Sequence, residues 1–85
     1  MYGQITMNGT RQLLNEQFKN KYGDTVAVWC ATTNTTNIQI SAKDDGTDFA
    51  ELEIGQGLNH DFKFNSQNPI YVKGTSGDVL NFYAY

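Results

Sequence analysis

The chain has 85 residues, a net charge of −3, one cysteine and one histidine. This length argues for a single domain, and the lone cysteine and histidine exclude an intrachain disulfide and leave too few ligands for a zinc or iron–sulfur centre. The acidic balance without a basic cluster predicts no nucleic-acid partner, and the lack of a long apolar run predicts no membrane-spanning helix.

The N-terminal part, residues 1–23, is the least regular. Tyr2 to Met7 alternates weakly in polarity, which favours a short edge strand. Residues 10–18 allow either a loop or one short helix, but their few apolar side chains cannot support a helix without tertiary contacts. We interpret residues 1–23 as an N-terminal arm that packs on a neighbouring subunit, or as an edge segment of the domain.

The remaining residues, 24–85, alternate apolar and polar side chains in short runs separated by turns. In the first run, Asp24 to Thr32, the side chains of Val26, Val28 and Cys30 share one face, and Trp29 lies on the other. We expect the first face to be buried. Further strands are predicted at Ile38 to Ala42, with Ser41 outward; at Phe49 to Ile54, with Ala50, Leu52 and Ile54 inward; and from Leu58 through Phe62 and Phe64.

The last run of the chain reads as a β-hairpin. Ile70 to Lys73 and Val79 to Tyr85 flank a turn that contains two glycines. We expect Leu80 and Phe82 to face the core with Ile70 and Val72, and Tyr83 and Tyr85 to face outward.

Together these segments give six or seven short strands and little helix. The pattern predicts an all-β fold: a small antiparallel β-sandwich, jelly-roll-like or immunoglobulin-like, or a β-barrel, with at most one short helix near residues 10–18. We assign residues 24–85 to the sandwich domain.

The sequence contains no clear metal-binding or catalytic motif. Asp44, Asp45 and Asp48 crowd one turn, but their spacing differs from that of a calcium loop and is typical of a turn between strands. His60 and Asp61 stand alone, without the context of a catalytic triad. We therefore predict no catalytic residues, no metal site and no cofactor, and we expect that the protein is not an enzyme.

Aromatic side chains are the more informative set, because Tyr and Trp are favoured at protein contacts and also line sugar-binding surfaces. A chain of this length buries only a small hydrophobic core, and it has no disulfide to stabilise it. We therefore predict a homo-oligomer, with a trimer favoured. The candidate interface residues are Trp29, Tyr71, Tyr83, Tyr85, Tyr2 and Arg11.

From residue 25 onward, the order of features resembles a group of small β-rich virion proteins of tailed bacteriophages. The resemblance rests on the strand and Asn/Thr turn of VAVWCATTNTTNIQIS, on Leu52-Glu53-Ile54-Gly55, and most specifically on NPIYVKGTSGDVL near the C-terminus. It does not extend to the first 24 residues.

The resemblance implies a structural protein of the phage particle without catalytic residues. The expected function is that of a capsid decoration (cement) protein, which binds the major capsid protein or another virion protein and stabilises the head. The alternative is a head-fibre, neck or tail module that binds a receptor or a glycan. The expected location is the capsid surface of the virion, after synthesis in the bacterial host cytoplasm, since the N-terminus lacks a signal-peptide layout.

Overall fold

The computed structural model describes residues 2–17, 25–61 and 69–84. These residues form eight strands and one 3-10 turn, Leu14–Gln17, which is the short helical segment predicted near residues 10–18. The strands are β1 (Tyr2–Thr6), β2 (Gln12–Leu13), β3 (Thr25–Cys30), β4 (Ile38–Ser41), β5 (Ala50–Leu52), β6 (Gly57–Asp61), β7 (Tyr71–Lys73) and β8 (Val79–Ala84).

The strands form two four-stranded antiparallel sheets, which confirms the predicted all-β sandwich. The first sheet has the order β1-β8-β3-β6 and the second has the order β2-β7-β4-β5. The antiparallel pairs are nested in the chain: β1 pairs with β8, β2 with β7, β3 with β6 and β4 with β5. This nesting is the arrangement of a jelly roll, one of the alternatives that the sequence left open.

The core lies between the two sheets and takes side chains from both. From the first sheet, Val26, Val28 and Cys30 are buried as predicted, as are Leu80 and Phe82. Burial of alternate residues on these strands follows from the period-2 geometry of a strand, in which successive side chains point to opposite faces. The other buried apolar residues are Ile5, Met7, Leu14, Ile38, Leu52, Ile70 and Val72.

The predicted C-terminal hairpin is wrong. β7 pairs with β2 and β4 in the second sheet, whereas β8 pairs with β1 and β3 in the first. The chain between Lys73 and Val79 therefore crosses from one sheet to the other. Two strands joined by a Gly-containing turn occur both in a β-hairpin and in a connection between two sheets. The sequence pattern therefore does not distinguish a hairpin from such a connection.

The described part of residues 1–23 lies within the sandwich as an edge segment. β1 and β2 each form one edge of a sheet, and Ile5, Met7 and Leu14 are buried in the shared core. In this position the segment contributes side chains to the domain's own core. The boundary proposed at residue 23 falls outside the described residues, as do the expectations for Phe62 and Phe64.

Two strands differ from their predicted alternation. Ser41 is buried because its hydroxyl is enclosed by the following turn, where it donates to the carbonyl of Thr47 at 2.8 Å. β5 is shorter than predicted, and although Leu52 is buried, Ala50 and Ile54 are exposed. Ile54 lies beyond the strand, in a turn in which the N–H of Gln56 donates to the carbonyl of Glu53 at 2.8 Å and Gly55 has a φ of 80°, in the left-handed region.

Candidate binding surface

Three of the predicted interface residues meet on the outer face of the first sheet. In the strand register, Tyr2 of β1 lies opposite Tyr83 of β8, and Trp29 of β3 lies opposite Asn81 of β8. Because directly opposed residues of an antiparallel pair share a face, Tyr2, Tyr83 and Trp29 all point away from the core. We call these three residues the aromatic face.

The rings of the aromatic face are in contact with one another. The ring centres of Tyr2 and Trp29 are 5.7 Å apart, and those of Tyr2 and Tyr83 are 6.4 Å apart, with tilted planes in both pairs. Such spacings are within the range of favourable aromatic pairs. Even so, Tyr2 is 62% exposed and Tyr83 is 44% exposed. The cluster is thus ordered by its own contacts while it still presents a large apolar area to solvent.

Asn81 lies between these rings on the central strand. It is only 7% exposed, and its side-chain oxygen accepts a hydrogen bond from Nε2 of Gln4 at 2.8 Å. Alternation with the buried Leu80 and Phe82 directs the side chain of Asn81 to the outer face. Its burial comes from its flanking neighbours on β1 and β3, since β8 is a central strand.

A hollow adjoins Trp29 on the side of β6. Its volume is about 390 Å³, and its lining includes Ala27, Trp29, Gly55 and Gly57. Gly57 lies opposite Trp29 in the register, so no side chain fills the space beside the indole ring on that strand. The aromatic face therefore continues into a shallow depression with one aromatic wall.

The other predicted interface residues are not part of the aromatic face. Tyr71 is half-buried on β7 of the second sheet, and Tyr85 lies outside the described residues. Arg11 donates from Nη1 to the carbonyl of Asp44 at 2.7 Å, and its guanidinium packs against Gly46. Arg11 therefore ties the start of β2 to the acidic turn of residues 43–48.

The carboxylate of Asp78, directly before β8, holds the turn that follows β3. Asp78 is 5% exposed, and it accepts hydrogen bonds from the main-chain N–H groups of Thr35 and Thr36 at 3.0 to 3.1 Å, and from both threonine hydroxyls. The bonds from Thr35, and then those from Thr36, hold the pKa of Asp78 below its ordinary value, although burial acts in the opposite direction.

The side chain of Asn34 makes the two hydrogen bonds to Val79 that the main chain of a neighbouring strand would make. Its Nδ2 donates to the carbonyl of Val79 at 2.8 Å, and its Oδ1 accepts from the N–H of Val79 at 2.7 Å. Asn34 and Asp78 together hold the turn after β3 against the start of β8. An Asn/Thr turn and a late Asp were visible in the sequence, but no local pattern signals that they bind each other across more than 40 positions.

The acidic turn has the internal structure expected of a loop. Asp45 accepts from the N–H and the hydroxyl of Thr47, and these bonds lower the pKa of Asp45. Lys43 forms an ion pair with Asp48 at 2.8 Å between exposed side chains. Within residues 2–17, 25–61 and 69–84, no group of three or more His, Cys, Asp and Glu side chains is placed to hold a metal ion.

No helix in the described part of the chain has the length and apolar character needed to cross a membrane. No protein-family model, curated protein or solved structure matches the chain.

Proposed function

We propose that the protein is a structural component of a phage particle, a capsid decoration protein that attaches to an assembled protein lattice through its aromatic face. The observation that supports this most directly is the convergence of Tyr2, Trp29 and Tyr83, from three strands, on one outward surface. Tyr and Trp are enriched among the interface residues that contribute most to binding energy.

The identity of the partner rests on the resemblance of residues 25–85 to small virion proteins. The jelly-roll order is compatible with this assignment, because capsid proteins commonly use that fold. The fold is an analogy only, since one fold supports many functions. If the protein attaches as an oligomer, it engages several sites of a repeating lattice at once, so a modest affinity at each site is sufficient for stable coverage.

The experiment is co-sedimentation of purified protein with phage heads assembled without it. We expect Tyr83→Ala to weaken attachment by about tenfold or more, as for a residue that contributes strongly to an interface. Phe49→Ala is the matched control, because Phe49 is a comparably exposed aromatic residue outside the aromatic face. Equal binding by all three proteins would contradict the proposal.

A second candidate function is recognition of a glycan on a host surface. The hollow beside Trp29 favours it, because an aromatic residue next to an open surface depression is a common feature of sugar-binding sites. Jelly rolls also occur among lectin domains. In a glycan array, binding that is lost in Trp29→Ala and retained in Phe49→Ala would support this candidate over attachment to capsid protein.

A further inference from the structure

Among the described residues, no strand pairs with the outer edge of β1 in the first sheet. Met7 donates to the carbonyl of Asp78 at 2.7 Å and accepts from the N–H of Gly77 at 2.9 Å, so the main-chain groups of Met7 point towards β8. In an antiparallel pair this direction alternates along the strand. The main-chain groups of Gly3 and Ile5 therefore also point to β8, and those of Tyr2, Gln4 and Thr6 point away from it.

The far end of this open edge is already capped by a side chain. Oε1 of Gln12 accepts from the N–H of Asn8 at 3.1 Å, and Nε2 of Gln12 donates to the carbonyl of Thr6 at 3.3 Å. The amide of Gln12 thus makes the same pair of bonds that a neighbouring strand would make. The outward main-chain groups of Tyr2 and Gln4 have no such partner among the described residues.

The uncapped stretch also lacks the features that usually prevent edge strands from pairing. Edge strands are commonly protected by charged side chains, proline or very short length. Of the other edges, β2 has two residues and β5 has three, including Glu51, while β6 ends at Asp61. β1 has five residues, and none of them is charged.

We infer that β1 is an interface between two copies of this chain, which pair antiparallel through Tyr2, Gly3 and Gln4. A second copy is the natural occupant, because two uncharged β1 edges meet without repulsion although the protein as a whole carries a net charge of −3. This inference does not depend on attachment to a capsid.

The Gln12 cap selects the register of this pairing. Because Thr6 is occupied, the main-chain hydrogen bonds form between Tyr2 of one copy and Gln4 of the partner subunit, and the reverse. Gly3 then lies on the two-fold axis, in the closer, non-hydrogen-bonded type of pair, where a glycine allows the approach. The two aromatic faces become neighbours on one continuous eight-stranded sheet.

The first test is the concentration dependence of molar mass, measured by sedimentation equilibrium. Wild type is expected to form a dimer, in place of the trimer favoured on sequence grounds. Gln4→Pro removes an outward N–H from both copies and is expected to weaken dimerisation by about tenfold or more. Gln4→Ala is the control, because it removes the bond to Asn81 but keeps the main chain, and it should dimerise as wild type does. A trimer, a monomer at all concentrations, or equal loss in both variants would overturn the inference.

A second test does not depend on how well the proline variant folds. Residues of a hydrogen-bonded antiparallel pair have Cα atoms about 5.5 Å apart, which suits a disulfide. A mixture of Tyr2→Cys and Gln4→Cys proteins should therefore form disulfide-linked dimers faster than either variant alone, while the buried Cys30 stays unreactive. Equal cross-linking of the Gln4→Cys protein alone would contradict the register, and no cross-linking in the mixture would contradict the interface.

Discussion

The ring centres of Tyr2 and Trp29 are 5.7 Å apart, although β8 lies between β1, which carries Tyr2, and β3, which carries Trp29. Neither residue is adjacent to the other in the sequence or in the strand pairing. Their contact exists because the nested order of a jelly roll places the first and third strands on either side of the last. The aromatic face is therefore a product of topology and not of any local motif.

Removal of residues 1–9 is predicted to unfold the protein. The deletion takes away β1 together with Ile5 and Met7, which are 6% and 1% exposed in the core. Loss of two large buried side chains costs about 4–10 kcal/mol, which is comparable with the entire stability of a small domain. Circular dichroism of the purified deletion variant checks this. A folded, cooperative deletion product would instead support the arm interpretation of the N-terminal segment.

The packing of Phe82 on Gly3 provides a second prediction. The two residues are opposite in the register, and a Cβ at position 3 would lie 2.7 Å from Cζ of Phe82. We expect Gly3→Ala to destabilise the fold by about 1–3 kcal/mol through overpacking. The measurement is the free energy of unfolding in urea.

Two comparisons make this prediction specific. In a Phe82→Leu background the cost of Gly3→Ala should fall, because the ring that clashes is gone. Gly57→Ala is the matched control, since a Cβ there meets its nearest atoms at 3.5 Å and beyond. Additive effects of Gly3→Ala and Phe82→Leu would contradict the packing.

Much of the inward and outward assignment followed from the sequence, because alternation needs only local geometry. The faces of β3 and the burial of Leu80 and Phe82 were predictable in this way. The partners of each strand were not, since β7 and β8 look like a hairpin and instead belong to different sheets. The candidate site was only partly predictable for the same reason. Trp29 and Tyr83 were identifiable as outward aromatic residues, but their proximity to Tyr2 depends on strand order.

Asp78 gives a pH-dependent prediction. The pKa of Asp78 is lowered in the folded state from its ordinary value of 3.8. The carboxylate therefore stabilises the fold at pH values above this ordinary pKa, and the stabilisation is lost as the pH falls through the lower pKa of the folded state. Asp78→Asn should therefore be less stable than wild type at neutral pH, and the difference should shrink on acidification below about pH 4.

Thermal unfolding of both proteins between pH 2 and pH 7 measures this difference. Asp45→Asn is the control: its carboxylate pKa is also lowered, but its hydrogen bonds lie within one exposed turn, so we expect a smaller effect. A difference between wild type and Asp78→Asn that is constant with pH would show that the charge of Asp78 does not matter.

The most direct test of the account is whether the aromatic face becomes covered when the protein attaches to a phage head. Trp29 is the only tryptophan in the chain, so replacement by 7-azatryptophan places one separately excitable probe in that face. On addition of heads assembled without the protein, we expect a blue-shifted emission and reduced quenching by acrylamide. Attachment to heads with unchanged emission and unchanged quenching would contradict the account, because the protein would then bind through another surface.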